Sequence, residues 1–380
     1  MAYPVALDDL LTLLRDKDGS DLHIRVGEPP VFRIHGVLYR QDFPVLQPED
    51  TRELMYSIMR DVHRRKYERD LEMDMAYELE GVARFRVNCF RQQGALGAVM
   101  RLIPIEISTI DDLGLPDVLK EIAMRPRGLV LVTGPTGSGK STTLAAMVDH
   151  INTYKRQHIM TIEDPIEFVH TDKTCAINQR EVGVDTHTFA DALRHVLRQN
   201  PDTILVGEMR DLETIGLTIT AAETGHLVFA TLHTTDAMQT VDRAIDVFPP
   251  QQQAQIRMQL SVTLEAVVCQ ALLPKNQAAG RVAAFEVMLA TPAIRALIRE
   301  GKTHQIYNSI QAGQEEGMIV LDQYLAELVR TAQVGYEDAL AKSSYPGEFA
   351  HRCGVAVDTA DKLPAADGQQ PAAVSQTQGG

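Results

Sequence analysis

A short apolar run at 129–132 is followed at once by Gly134-Pro135-Thr136-Gly137-Ser138-Gly139-Lys140-Ser141-Thr142, and this order leaves few folds open. The glycines let the backbone turn tightly, so that successive N–H groups point inward around phosphate oxygens. Lys140 can then reach the β- and γ-phosphates, and the Ser141 hydroxyl can take one position on Mg2+. A glycine-rich turn alone would mean little. Here the run before it predicts a buried strand, and Leu144, Ala145, Met147 and Val148 continue with helical spacing, which is the strand–loop–helix setting that phosphate binding requires. The expected class is therefore an α/β nucleotide-binding protein.

Bulk properties narrow the choice of partner. A chain of 380 residues exceeds one ordinary domain, so two domains with appendages are expected. The formal net charge of −14 opposes a protein that coats nucleic acid, because neutralising phosphates needs a local excess of Lys and Arg. No run approaches the roughly 18 apolar residues of a membrane span, and the first residues lack an export pattern, so a cytoplasmic location is expected. Cys89, Cys175, Cys269 and Cys353 form no CxxC pair, which predicts neither zinc knuckle nor disulfide framework.

Leu7, Leu10, Leu11 and Leu14 share one helical face at the start of the chain. Between 22 and 39 the irregular alternation around Gly27, Pro29, Pro30 and Gly36 predicts short antiparallel strands. A charged helical stretch covers 51–70. Two strands follow at 84–91 and 98–103, with a turn over 92–97. Residues 1–103 thus read as a small α+β domain, and 104–116 as a linker. Beyond it, short apolar strands at 129–132, 158–162, 203–206 and 227–231 alternate with helical patterns over 117–290. That alternation predicts a parallel sheet covered by helices. Helical spacing continues over 291–354, and 355–380, poor in large apolar residues, is expected to be a disordered tail.

Hydrolysis of ATP also needs an acid for the metal, a group to activate water, and positive charge where negative charge develops. Ile204-Leu205-Val206-Gly207-Glu208 is an apolar strand ending in a carboxylate, so Glu208 is the candidate for holding Mg2+ or its water shell. Glu163, Asp164 and Glu167 crowd the end of another strand. Such a cluster could be a solvated acidic turn, but beside a phosphate loop Glu163 reads as the base that polarises water. His226 could simply cap or pack. His233, just past a strand, is better placed to donate a hydrogen bond to the γ-phosphate. In the first domain Arg84, Arg86, Arg91 and Arg101 lie on two strands, and alternation puts Arg84, Arg86 and Arg101 on one side. A solvated strand face competes with a set of arginines swung onto phosphates by domain closure.

Together these residues resemble the secretion-type ATPases of the RecA-like class, and within it the branch that retracts type IV pili. The resemblance covers residues 5 to 350. It rests on the phosphate loop, an acidic box from Thr161 to Glu167, the segment from Val206 to Glu213, and a histidine box from Thr224 to His233. It implies a homohexameric ring with a PAS-like N-terminal domain, a RecA-like core and a helical C-terminal part. ATP and Mg2+ would sit between the two domains, with Arg86 and Arg101 reaching the nucleotide. It further implies work on an inner-membrane platform protein at the cytoplasmic face, with membrane association only through the pilus machine. The retraction-associated motif AIRNLIRE stands here as Ala293 to Glu300, with Ala296 in place of Asn, which removes an amide's hydrogen bonds from one helix position.

Assembly and type II secretion ATPases of this class usually carry an extra N-terminal domain and a four-cysteine metal subdomain. Neither is evident in this sequence, and 272–281 reads as a short connector without cysteine pairs. Retraction is therefore expected over assembly, with an accessory retraction ATPase as the nearest alternative. A nucleic-acid translocase is disfavoured by the acidic balance and the lack of aromatic-basic strand faces. A non-hydrolysing scaffold is disfavoured by the presence of Glu163.

Overall fold

The leucine face at the start of the chain becomes α1 (Leu7–Asp16), whose Leu7, Leu10, Leu11 and Leu14 are all buried. In the computed structural model, which describes residues 3–103, 106–276 and 280–355, they pack against an antiparallel sheet. Its strands are β1 (Gly19–Ile24), β2 (Val31–Ile34), β3 (Val37–Arg40), β4 (Glu72–Leu79), β5 (Ala83–Gln92) and β6 (Ala95–Ile103), in the spatial order β3-β2-β1-β6-β5-β4. Two helices, α2 (Pro48–Ile58) and α3 (Asp61–Asp70), divide the charged stretch that the sequence suggested was one. Alternation along β5 buries Phe85, Val87 and Cys89 under the helices and leaves Arg84 and Arg86 on the opposite face. The β5–β6 turn is tighter than expected. Gln93 and Gly94 both take positive φ, which lets the strands pair up to Gln92 and Ala95.

The second sheet begins after α4 (Val118–Ala123). Its strands are β7 (Gly128–Thr133), β8 (His158–Glu163), β9 (Ala176–Glu181), β10 (Thr203–Val206), β11 (Leu227–Leu232), β12 (Leu264–Pro274) and β13 (Arg281–Leu289). The order is β13-β12-β7-β11-β10-β8-β9, parallel throughout except for the antiparallel β12–β13 pair. Every residue of β7, β10 and β11 is buried, as expected for strands covered by helices on both faces. The covering helices are α5 (Lys140–Tyr154), α6 (Phe189–Val196), α7 (Leu212–Glu223), α8 (Ala237–Asp246) and α9 (Pro250–Thr263). Thr188, Asp211 and Asp236 cap α6, α7 and α8 by accepting backbone N–H groups, so these helices start where the sequence places a capping oxygen.

The expected connector at 272–281 is a correction: Leu272 and Leu273 continue β12, and Arg281 already belongs to β13. Residues 277–279 of that segment, 104 and 105 of the expected linker, and the tail from 356 onward lie outside the described residues.

The remaining helices are α10 (Pro292–Glu300), α11 (Ile306–Ala312), α12 (Leu321–Arg330), α13 (Tyr336–Leu340) and α14 (Pro346–Arg352). They clad the β12–β13 hairpin. Val267, Phe285 and Val287 face the main core, while Leu273 and Ala284 join Leu321, Leu325, Leu328 and Phe349 in a smaller one. Glu286 on β13 is buried and accepts the Ala237 N–H at the start of α8 (2.8 Å). Burial pushes its carboxyl up to about 7. Asp322, fully buried, accepts the N–H groups of Ser344 (2.9 Å) and Tyr345 (2.8 Å). On the other side Arg295 of α10 donates to the Val262 carbonyl (2.6 Å) and to Glu265 (2.7 Å), closing the end of α9.

Phe229→Ala in β11 removes a fully buried ring from the middle of the second sheet. The expected loss is roughly 3–5 kcal/mol, read from chemical denaturation followed by circular dichroism, whereas Tyr39→Ala on the exposed edge strand β3 should change stability by less than about 0.5 kcal/mol.

Candidate active site

Parallel pairing decides which residues meet. Leu232 at the end of β11 sits opposite Thr133 at the end of β7, and Val206 of β10 lies between Ala230 of β11 and Ile162 of β8. The phosphate loop, Glu163, Glu208 and His233 therefore emerge along one edge of the sheet, where open α/β sheets bind ligands.

The loop's shape depends on glycine at two positions. Gly134 has φ 140° and Gly139 φ 91°, and a β-carbon at Gly134 would run into the carbonyl oxygen of Gln270 on β12. Gln270 also accepts a hydrogen bond from Thr143 Oγ1 in the first turn of α5 (2.8 Å), so β12 forms a fixed wall behind the loop. Pro135, Thr136 and Gly137 form its crest. Ser138 Oγ is buried without a hydrogen-bond partner among the described residues, a polar atom that an oxygen-rich ligand would satisfy. Lys140 is buried and donates to the carbonyls of Gly134 (2.8 Å) and Pro135 (3.1 Å). Burial lowers its pKa, and the negative charges of Glu208 and Glu167 oppose that shift. Ser141 and Thr142 follow in the first turn of α5, with the N-terminal end of the helix directed at the loop.

Glu163 ends β8, and loss of water pushes its carboxyl pKa up. Hydrogen bonds donated by Thr161 Oγ1 (2.6 Å) and Gln179 Nε2 (3.1 Å) stabilise the charged form and act in the opposite direction. The carboxyl is thus half-buried, oriented from two sides and more basic than an ordinary glutamate, which suits a group that takes a proton from water.

Glu208 is held differently. Arg210 donates to one of its oxygens (2.7 Å) and His233 Nε2 meets the other at 2.8 Å. Because an ionised carboxylate can only accept, the Nε2 proton belongs to His233. The arginine first, and then the histidine, hold the Glu208 carboxyl below the usual carboxylate range. Thr231 Oγ1 donates to the Gly207 carbonyl (2.5 Å), tying the turn before Glu208 to β11. In the structure the His233 Nε2 proton goes to Glu208. His226 closes the end of α7, its Nδ1 lying 2.9 Å from the Ala221 carbonyl oxygen.

The first domain presents its arginine face to this edge. Arg86 and Arg101 are cross-strand partners on one face of the sheet. Arg84 donates to Glu181 at 3.2 Å, and Arg86 lies 4.0 Å from Glu167. Arg101 does not join them: its Nε donates to the buried Asp21 of its own domain (2.9 Å). Ser141 and Glu208 offer hydroxyl and carboxylate oxygens, the donor types Mg2+ prefers. Among the described residues there is no cluster of three or more metal-binding side chains, so these two fit an ion that keeps most of its shell as water and phosphate oxygen. Thr161 and Arg210 lay within the quoted segments without a role of their own, and Gln179 and Gln270 escaped the sequence reading. Arg210 was the most accessible of them, lying two residues past Glu208, whereas Gln179 and Gln270 become visible only through strand register.

Residues 5–334 match the family of type II/IV secretion system proteins. The chain is 52% identical over 343 residues to the type IV pilus retractation ATPase PilT of Pseudomonas aeruginosa, covering 90% of this chain and 99% of that one. It is 42% identical to the type IV pilus ATPase PilU of the same organism, over 88% of this chain and 87% of PilU. Among solved structures, that of the pilus retraction motor PilT with bound ADP superposes with a TM-score of 0.85 at 47% identity, covering 90% of this chain and 98% of the other. The fold is thereby that of a RecA-like secretion ATPase.

A Glu163 that serves as the base must be ionised, and its pKa is raised, so on that role turnover is expected to fall as pH drops at a higher pH than an ordinary glutamate would impose. Gln179→Ala removes a hydrogen bond that favours the charged form, so the acid limb of the kcat profile should move further up in pH.

Proposed function

The chain belongs to the type II/IV secretion system protein family, and on that footing we propose that it is a homohexameric motor whose ATP hydrolysis powers type IV pilus retraction. The observation that carries the proposal is the convergence of Lys140, Glu163, Glu208 and His233 on one sheet edge in a chain similar along 90% of its length to a pilus retraction ATPase.

ATP would lie with its phosphates in the loop from Gly134 to Thr142, where inward N–H groups and the α5 terminus offset negative charge. Lys140 would exchange its loop carbonyls for the β- and γ-phosphates. Ser141 and Glu208 would hold Mg2+, which would offset the negative charge that develops during phosphoryl transfer. Glu163 orients the attacking water and takes its proton. His233, bonded to Glu208, links the metal carboxylate to the loop after β11 and so reports the state of the γ-phosphate. Arg86, already beside Glu167, would reach the nucleotide on closure of the N-terminal domain; Arg101 would have to leave Asp21 to do the same.

Closure and reopening of that domain in each subunit of a ring would be the mechanical stroke. The stroke would act on an inner-membrane platform protein from the cytoplasmic face, with no nucleic acid involved. Membrane association would run only through the pilus machine; no helix among the described residues is long and apolar enough to cross a bilayer. An accessory retraction role is the second reading, since the chain is also similar, at 42% identity, to a second type IV pilus ATPase, PilU.

Lys140→Ala and Glu163→Gln should each lower steady-state ATP hydrolysis by about a hundredfold or more, from lost phosphate charge compensation and lost water activation respectively. Near-normal turnover in either would remove its assigned role. Deletion of the gene should leave cells piliated but unable to retract. Bald cells would instead indicate assembly, and partly retained retraction the accessory role.

A further inference from the structure

Arg84 carries the same charge as Arg86 and points to the same side of the sheet, yet its surroundings set it apart. The Arg86–Glu167 pair is 4.0 Å long with both side chains 41% exposed, the kind of contact that contributes little by itself. Arg84 donates from Nη2 to Glu181 Oε2 at 3.2 Å, with the two side chains only 17% and 8% exposed. This pair crosses from the first sheet to the end of β9 in the second. Removing either partner would leave a nearly buried charge without compensation.

Glu181 is also the neighbour of Glu163. The two are Cα partners in the parallel β8–β9 ladder, and the Val182 N–H donates to the Glu163 carbonyl at 2.8 Å. The Glu181 oxygen that receives Arg84 also accepts the Ile166 N–H (3.2 Å), within the turn from Glu163 to Glu167. Two residues earlier on the same strand, Gln179 holds the Glu163 carboxyl itself. One face of β9 thus grips the water-activating carboxylate, the turn that follows it and an arginine of the other domain.

We propose that Arg84 and Glu181 form an inter-domain latch of positioning residues that places Glu163 for attack on ATP only while the N-terminal domain is seated on the β9 edge. The inference rests on reading Glu163 as the base. Arg84 is in this account no phosphate ligand: its charge is spent on Glu181, and the arginine free to serve the nucleotide from the same strand is Arg86. A domain that lifts away pulls Arg84 off Glu181, loosens the Ile166 turn and lets the Glu163 carboxyl drift, so hydrolysis stops without loss of the nucleotide.

The test is a double-mutant cycle on the full chain, with Arg84→Ala, Glu181→Gln and the double variant in steady-state ATPase assays. Gln at 181 can still accept the Ile166 N–H, so that variant removes the latch's ion pair while sparing the turn. Each single substitution should lower kcat about tenfold or more while KM for ATP moves less than about threefold, and the double variant should be no worse than the more severe single one. Arg84→Lys, which keeps the charge, should restore much of kcat, a rescue that a mere loss of folding would not give. Thermal melts of all four keep stability separate from turnover. Multiplying losses, a loss confined to KM, or unchanged kcat in the single variants would overturn the latch. Glu163→Gln run beside them tests the base: near-normal turnover there removes that reading, whereas the Arg84–Glu181 coupling is read from the cycle alone.

Discussion

Parallel hydrogen bonding between β8, β10, β11 and β7 is the constraint on which the site depends. Each strand delivers its last residue to the same edge, and because β7, β10 and β11 are buried on both faces, a one-residue slip would mismatch packing on both sides of the sheet and displace a functional group with it. The same burial that stabilises the sheet therefore sets the spacing between the phosphate loop, Glu163, Glu208 and His233. Catalytic geometry here is a by-product of core packing.

The two carboxylates at that edge show how environment divides labour between identical groups. Glu163 loses water and gains only neutral donors, so its pKa rises and it suits proton transfer. Glu208 is paired with Arg210 and His233, so it stays ionised and suits a cation. Pairs of titratable groups pushed in opposite directions are a common way for one site to hold both a base and a permanently charged ligand.

Much of this was legible in the amino-acid order because local rules and global packing agree. The loop glycines and the short apolar strands each announce an element boundary. What remained hidden depends on register across the chain. β9, with its polar sequence Ala-Ile-Asn-Gln-Arg-Glu, is an edge strand whose alternation is weak, so neither Gln179 nor Glu181 stood out. The end of β12 and the start of β13, over 272–281, looked like a connector because hairpin strands facing two cores lack a clean period of two. Arg84, Arg86 and Arg101 shared one face as alternation implied, but their different carboxylate partners, Glu181, Glu167 and Asp21, are tertiary facts. The AIRNLIRE-like helix is of the same kind. Its Arg295 is spent on the end of α9, which no periodicity announces.

The position of β7 has a consequence for the order in which the molecule is made. Both of its neighbours, β11 and β12, are encoded long after it, and Gln270, which walls the phosphate loop, lies well over a hundred residues downstream. A nascent chain leaving the ribosome displays its glycine loop early but lacks the strands that shape it until β12 has emerged. Such non-local pairing makes assembly slow, and it keeps an unfinished polypeptide from binding nucleotide as the mature one does. The phosphate loop thus waits for its wall until β12 has been made, long after the loop itself.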